Sequence, residues 1–497
     1  MSGTTEEPQQ PGLRARISQN IEMARKGYEQ LVNAVIRPPR AQYAMGHLGP
    51  AVFTFLGQRF RRDDIILDTD NMTHPEDPET EPPRPLKLQA SLWTREGDEF
   101  VNPGKPKTMV VYLHGNASAR VEVLPQLSFL LASGIFGVCS LDFTGSGQSD
   151  GEYVSLGYYE RFDLECVLQY LQNRYRNLEI VLWGRSMGAS TALMHASEKT
   201  REHISVRRQD SDTDTIGDQP DPDSSNAILK GLICDSPFAS LPQLCEELVE
   251  KAKAQGVVVP SVIVSVAIAM IARSVWNRAH FPIKDIAPVE HAPTIDTPAL
   301  FVVGADDDFI PPHHSEDICA AYQRGISTNL LMVPGGHNDA RPQLVFDAAA
   351  QFLKYRLSLT EDCALPVPDK LKNVLHTSPP WAFHSHPDIF QVLKNTKTST
   401  TSFGNTTTAE AMADEFGMTQ QRQDDIQDKI HLMLGQQQPA KKQATPAPAD
   451  SPSTTSTGST TASTSDTTTN GSTGTAQPQS PTSSQEHISV GVPISFN

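Results

Sequence analysis

Cysteine is scarce in this chain: six residues among 497, scattered, with no Cys-x-x-Cys pair and no zinc-finger spacing. That excludes a disulfide scaffold and a structural zinc centre. Several of the thiols lie in apolar stretches, where cysteine packs as a small hydrophobe. A reducing compartment fits, and cytoplasmic localisation is the expectation. Positive charge is also short: 41 Lys and Arg face 58 Asp and Glu, for a net −17. A protein that tracks phosphates needs a basic face, so a nucleic-acid partner is excluded. Apolar residues reach only 38%, while prolines number 38. The balance reads as a folded domain diluted by polar tails. The most apolar stretch, Val257–Ile271, is 15 residues long and interrupted by Pro260. A membrane span needs about 20, so a buried or cap helix is expected, with contact at a membrane surface as the second reading. The first residues, MSGTTEEPQQPG, show neither a secretory leader nor Gly at position two for myristoylation.

Leu13, Ile17, Ile21, Tyr28, Leu31 and Val35 recur at helical spacing and predict a helix ending before Pro38, packed on the main domain. Residues 70–86 read as a loop. Beyond them, short apolar runs alternate with helical periodicity. Strands are expected at Leu86–Trp93, Thr108–Leu113, Phe136–Phe143, Glu179–Trp183, Gly231–Cys234, Ala299–Val303 and Asn329–Val333. Near-continuous apolar strands separated by helices imply a mostly parallel sheet covered on both faces. The organisation expected is an N-terminal helix and linker over 1–85 and an α/β domain over 86–358. Within the latter lie an acidic insertion at 205–227 and a helical cap region at 241–297. A C-terminal extension follows over 359–440, with a short helix at Ala409–Leu434, then a Ser/Thr-rich tail over 441–497. Insertion and tail have too few apolar residues to offset their ordering entropy, so both are expected to be disordered.

The run Glu179-Ile-Val-Leu-Trp183 feeds directly into Gly184-Arg-Ser-Met-Gly188, and a helical segment follows. This is Gly-x-Ser-x-Gly at a strand-to-helix turn, where small residues allow a sharp bend that lifts the Ser186 hydroxyl above the sheet. A serine nucleophile needs a base, and the base needs a carboxylate to orient it. In this architecture they follow in the order Ser, acid, His. Ala299–Val303 ends in Gly304-Ala-Asp-Asp-Asp308, and Asn329–Val333 ends in Pro334-Gly-Gly-His-Asn338. Asp306, Asp307 or Asp308 could serve as the acid, and His337 as the base. Asp235, at another strand end, is a further candidate for the acid. An oxyanion hole needs two backbone N–H groups. Met187, after the nucleophile, supplies one; Asn116, in the His114-Gly-Asn-Ala-Ser118 loop, is the candidate for the other. Asp142 and Asp150 read as loop-fixing carboxylates. His313 and His314 read as a helix start, because no carboxylate or cysteine lies at metal spacing beside them.

These motifs together resemble the α/β-hydrolase superfamily, in its serine-aminopeptidase-like (S33-type) group. The residues carrying the resemblance are Ile36-Arg-Pro-Pro-Arg40, His114-Gly-Asn116, Leu141–Tyr153, Gly184–Gly188, Asp235-Ser-Pro-Phe238, Asp306–His314 and Gly336-His-Asn338. They span about Ile36–Tyr355 and look closest to a poorly characterised plant and protist branch. The resemblance implies an α/β-hydrolase fold with a small helical cap, Ser186 as nucleophile, His337 as base and Asp307 as acid. Related sequences often place Asp before the catalytic His, where this chain has Gly336. The resemblance implies no cofactor and no metal. The expected reaction is cleavage of an ester, thioester or amide through an acyl-enzyme. The substrate expected is a small-molecule or lipid-like apolar acyl compound, with no obligate protein partner. An acyltransferase using the same residues and a catalytically silent interaction protein are the alternatives.

Overall fold

The computed structural model describes residues 13–72, 84–98, 104–175, 177–198, 228–254, 261–359 and 363–385. The acidic insertion at 205–227, the segment 409–434 and the tail from 441 lie outside the described residues. The chain divides between Gln437 and Gln438 into two units, and all described residues belong to the first.

Helix α1 (Leu13–Ile36) leads into strands β1 (Val52–Phe55), β2 (Gln58–Met72) and β3 (Pro85–Arg95). There follow β4 (Lys107–Leu113), α2 (Leu124–Ala132), β5 (Gly137–Asp142), α3 (Glu160–Arg174) and β6 (Leu178–Arg185). Helix α4 (187–198) and β7 (Ile228–Asp235) precede two helices of the cap region, α5 (Leu241–Ala254) and α6 (Ser261–Ala279). The last elements are β8 (Ala299–Gly304), α7 (His313–Ala321), β9 (Thr328–Val333) and α8 (Gln343–Arg356).

The nine strands form one sheet in the order β1-β2-β3-β5-β4-β6-β7-β8-β9. Pairs from β1 through β3 to β5 are antiparallel; the others, from β5 to β9, are parallel. Met109–Leu113 of β4 and Ala299–Gly304 of β8 are buried throughout, as strands covered on both faces must be. After β4 the chain runs to β5 on one side, then returns to β6 on the other. The crevice at the carboxyl ends beside such a reversal is where open α/β sheets bind ligands. This is the α/β-hydrolase fold.

All seven expected strands are present. The segment read as linker also contains a β1–β2 hairpin. Its turn, Leu56-Gly57, holds both residues at positive φ (47° and 79°), the geometry of a two-residue type I′ loop. β2 carries Arg61, Arg62, Asp63 and Asp64 within a strand, and these pair locally, Arg61 with Asp63 and Arg62 with Asp64. Such a polar strand shows no clean alternation to read.

Val32 and Ile36 anchor α1 in the core. α1 also rests on α6, where Tyr28 donates to the Met270 carbonyl (2.9 Å) and Arg278 pairs with Glu29 (2.8 Å). α6 is not a buried helix: Val266, Met270 and Trp276 are each more than half exposed, while Val275 and Ala279 face inward. None of the described helices is long and apolar enough to cross a membrane. Residues 363–385 complete the domain's wall. The Leu365 N–H donates to the Ala132 carbonyl and the Phe129 N–H to that of Leu375, while Phe383 stacks on Phe55 and Trp381 meets Phe53 edge to face.

Candidate active site

β6 delivers Ser186 into a turn with φ of +52°, a left-handed conformation that a non-glycine residue holds only under tertiary constraint. The flanking glycines are required by contact. A Cβ on Gly184 would meet the Gly188 carbonyl carbon at 2.4 Å, and one on Gly188 would meet the Leu113 carbonyl oxygen at 2.1 Å. The elbow is thus pressed against the end of β4. The Ser186 N–H donates to the Asp235 carbonyl at 2.7 Å, tying the elbow to β7.

His337, past β9, turns toward this serine. Its Nε2 lies 3.1 Å from Ser186 Oγ, and its Nδ1 lies 2.7 Å from Asp307 Oδ2. A carboxylate only accepts, so the ring proton sits on Nδ1 and Nε2 is free to accept from the serine. The other Asp307 oxygen takes the N–H groups of Phe309 (3.1 Å) and Ile310 (2.8 Å), which fixes the carboxylate plane. Ser186, Asp307 and His337 are 8%, 3% and 6% exposed, dry enough for these bonds to be strong. The rival acids are engaged elsewhere. Asp306 accepts the Gly335 N–H, Asp308 pairs with Lys251, and Asp235 takes the Arg341 guanidinium.

The loop after β4 is held from both sides. Glu122 accepts the Gly115 N–H (3.2 Å), and His114 Nδ1 lies 2.7 Å from the Gly115 carbonyl. The Phe143 N–H donates to His114 Nε2 (3.2 Å), so the His114 proton must sit on Nδ1 and donate to that carbonyl. In a trans peptide, N–H and C=O point in opposite directions. Fixing the Gly115 carbonyl on His114 therefore aims the Asn116 N–H away from it. A Cβ on Gly115 would lie 3.6 Å from the Arg185 carbonyl, so this loop borders the elbow. Met187 opens α4, where N–H groups have no intrahelical acceptor. Neither amide donates to a backbone acceptor among the described residues. The loop that carries the Asn116 N–H thus borders the elbow that carries the Met187 N–H.

His313 and His314 have a carboxylate after all, supplied across the cap by Glu247 (2.9 and 3.0 Å). The Ala239 N–H donates to His314 Nδ1 (3.1 Å), so the His314 proton is on Nε2 and donates to Glu247. A ring so engaged has no lone pair for a cation. Burial lowers the His314 pKa, opposing the pull of Glu247. Asp142 accepts from the Arg120 N–H (2.7 Å), the Gln148 N–H (2.9 Å) and the Tyr43 hydroxyl (2.5 Å), and so fixes its loop. Asp150 binds Arg84 and the Lys87 N–H. Sequence reading assigned no role to His114, Glu122 or Arg341. Arg341 lies 106 positions from its partner Asp235, a separation that a single sequence does not bridge.

The strand order, the elbow and the Ser–His–Asp contact define a serine-hydrolase type of site on an α/β-hydrolase fold. Residues 104–206 match the family model described as serine aminopeptidase, S33. An uncharacterised Bacillus subtilis protein, YqkD, is 25% identical over 217 residues, 44% of this chain and 60% of that protein. The chain therefore spans under two thirds of this relative's length. Among solved structures, a Pyrococcus furiosus esterase is 20% identical with a TM-score of 0.41, covering 64% of this chain and 99% of its own. Est1E from Butyrivibrio proteoclasticus, with ferulic acid bound, is 18% identical with a TM-score of 0.36, covering 55% and 97%. These similar proteins are bacterial and archaeal, whereas the motifs look closest to a plant and protist branch.

Proposed function

We propose that this protein is a serine hydrolase acting on esters or thioesters of apolar acyl groups. The observation that carries the reading is the continuous chain Ser186–His337–Asp307 with the Asn116 loop bordering the elbow. Ser186 Oγ attacks the acyl carbonyl as its proton passes to His337 Nε2. Asp307 holds the ring in the accepting tautomer and stabilises the imidazolium. The N–H groups of Asn116 and Met187 receive the oxyanion, a contribution of about 3–4 kcal/mol for each donor. His337 then protonates the leaving alcohol or thiol, and water, deprotonated by the same ring, releases the acid.

Two features support an acyl ester over a peptide with a free amino terminus. Phe309, 40% exposed, lies with its ring 5.2 Å from that of His337 and offers an apolar wall beside the reacting atoms. The charge of Asp308, next to Phe309, is already paired with Lys251. The test is a series of p-nitrophenyl esters and acyl thioesters of two to sixteen carbons, run beside aminoacyl amides, with and without an alcohol acceptor. Turnover that rises with chain length and is absent in Ser186→Ala supports the proposal. Faster turnover of short polar amides contradicts the substrate class, and transfer to the alcohol in preference to water contradicts hydrolysis.

A further inference from the structure

The residues next to the nucleophile and the base reach toward each other. Arg185 precedes Ser186 and Asn338 follows His337, and Arg185 Nη2 donates to Asn338 Oδ1 at 2.5 Å. Arg185 Nη1 also reaches Glu122 Oε2 at 3.4 Å. Glu122 in turn accepts the Gly115 N–H (3.2 Å) and the Tyr112 hydroxyl (3.0 Å). The Arg185 and Glu122 side chains are only 23% and 10% exposed, so their charges neutralise each other in a largely dry place. One polar chain, Gly115–Glu122–Arg185–Asn338, therefore joins three loops that are distant in sequence. These loops carry the oxyanion amide, the nucleophile and the base.

On the other side of the same loop, Arg341 donates to the Gly336 carbonyl (2.9 Å) and to Asp235, whose own carbonyl takes the Ser186 N–H. That second tie grips the backbone before His337, while Arg185 grips the residue after it. The contacts of Asp307 set how the His337 ring is turned. They do not set how far Nε2 stands from Ser186 Oγ, because the 304–308 loop sits on β8 and the elbow on β6.

We infer that Arg185, with Asn338, is a positioning residue that holds the base in register with the nucleophile and the oxyanion loop. The inference rests on the hydrolase reading above. It requires the planar guanidinium fork, which serves two acceptors at once; a lysine ammonium is a single point charge and cannot span them in the same way.

The experiment measures kcat and KM on a water-soluble p-nitrophenyl ester for wild type, Arg185→Lys, Asn338→Leu, the double variant and Asn338→Asp. Displacing a reacting group by about 1 Å costs up to about 100-fold, so kcat should fall roughly 10- to 100-fold in each of the first two, with KM within about 2-fold. The double variant should be no slower than the worse single, because Arg185→Lys already removes the contact that Asn338→Leu breaks. Asn338→Asp keeps the acceptor and should keep kcat within about 3-fold. Asn338 is partly exposed, so its variants still report if Arg185→Lys fails to fold. Losses that multiply in the double variant, an unchanged kcat in Asn338→Leu, or an inactive Asn338→Asp overturn the inference while leaving the hydrolase reading intact. A wild type inert to both ester and fluorophosphonate overturns both.

Discussion

Gly188→Ala is the sharpest single perturbation of the elbow. A Cβ at this position would stand 2.1 Å from the Leu113 carbonyl oxygen and 2.8 Å from that of His114. Both contacts are backbone, at the end of β4, a buried strand paired with β5 on one side and β6 on the other. No rotamer change relieves them, so elbow and strand end must separate by about 1 Å, against a close-packed interior. Overpacking of this kind costs about 1–3 kcal/mol of stability. The chemical cost is larger. The separation carries Ser186 and the Met187 amide away from the loop that holds Asn116, and a displacement near 1 Å is worth about 100-fold in rate. The prediction is a loss of roughly 100-fold in kcat/KM on a soluble p-nitrophenyl ester, with a melting transition that is lowered yet still cooperative. The measurement pairs steady-state kinetics with thermal unfolding of wild type and variant. A variant within about 3-fold of wild type would refute the reasoning, because it would mean that elbow and oxyanion loop need not touch as they do here.

Three further outcomes follow from the same contacts. Asp307→Asn should lower kcat by about 10³–10⁴, because an amide no longer enforces the Nδ1–H tautomer of His337; single-turnover kinetics with an activated ester read the loss directly. Arg341→Met should cost about 3–5 kcal/mol in urea unfolding, because the buried Asp235 carboxylate loses its partner, and Asp235→Leu in the same chain should restore part of it. Asp163 is buried, and burial pushes its pKa up to about 7 from 3.8, in spite of donors on Thr144 and Asn71. The folded state then keeps a proton that the unfolded chain has lost. Its contribution to stability therefore falls as pH rises from about 4 to about 7 and is level above that. Urea midpoints of wild type minus Asp163→Asn, taken across this range, should show that slope; parallel profiles would contradict it.

Much of this was legible from the residues because it is local. A strand run ending in Gly184-Arg-Ser-Met-Gly188 contains its own turn, and the short apolar runs of β4 to β9 declare themselves through burial on both faces. The choice of Asp307 among three adjacent aspartates was not local. Here it follows from which carboxylate faces His337 across two strand ends. The β1–β2 hairpin is hard to read because β2 carries Arg61, Arg62, Asp63 and Asp64 in succession, which breaks the apolar–polar alternation that marks a half-buried strand. The apolar stretch that enters α6 leaves a buried helix and a cap helix equally open. Composition gives the number of apolar side chains, and only the packing of α1 on one side determines that Val266, Met270 and Trp276 face outward. Pairs such as Glu122 with Arg185 and Asp235 with Arg341 bridge 63 and 106 positions, and neither residue of a pair names its partner in a single sequence.

The central claim is that Ser186 is an activated nucleophile. The most direct test is intact-mass spectrometry of the purified chain after treatment with a fluorophosphonate, for wild type, Ser186→Ala and His337→Ala. The account predicts one adduct on wild type, mapped by peptide digestion to Ser186, with none on Ser186→Ala and sharply slowed formation on His337→Ala. A folded wild-type protein that takes up no adduct, or one modified at a residue other than Ser186, would contradict it.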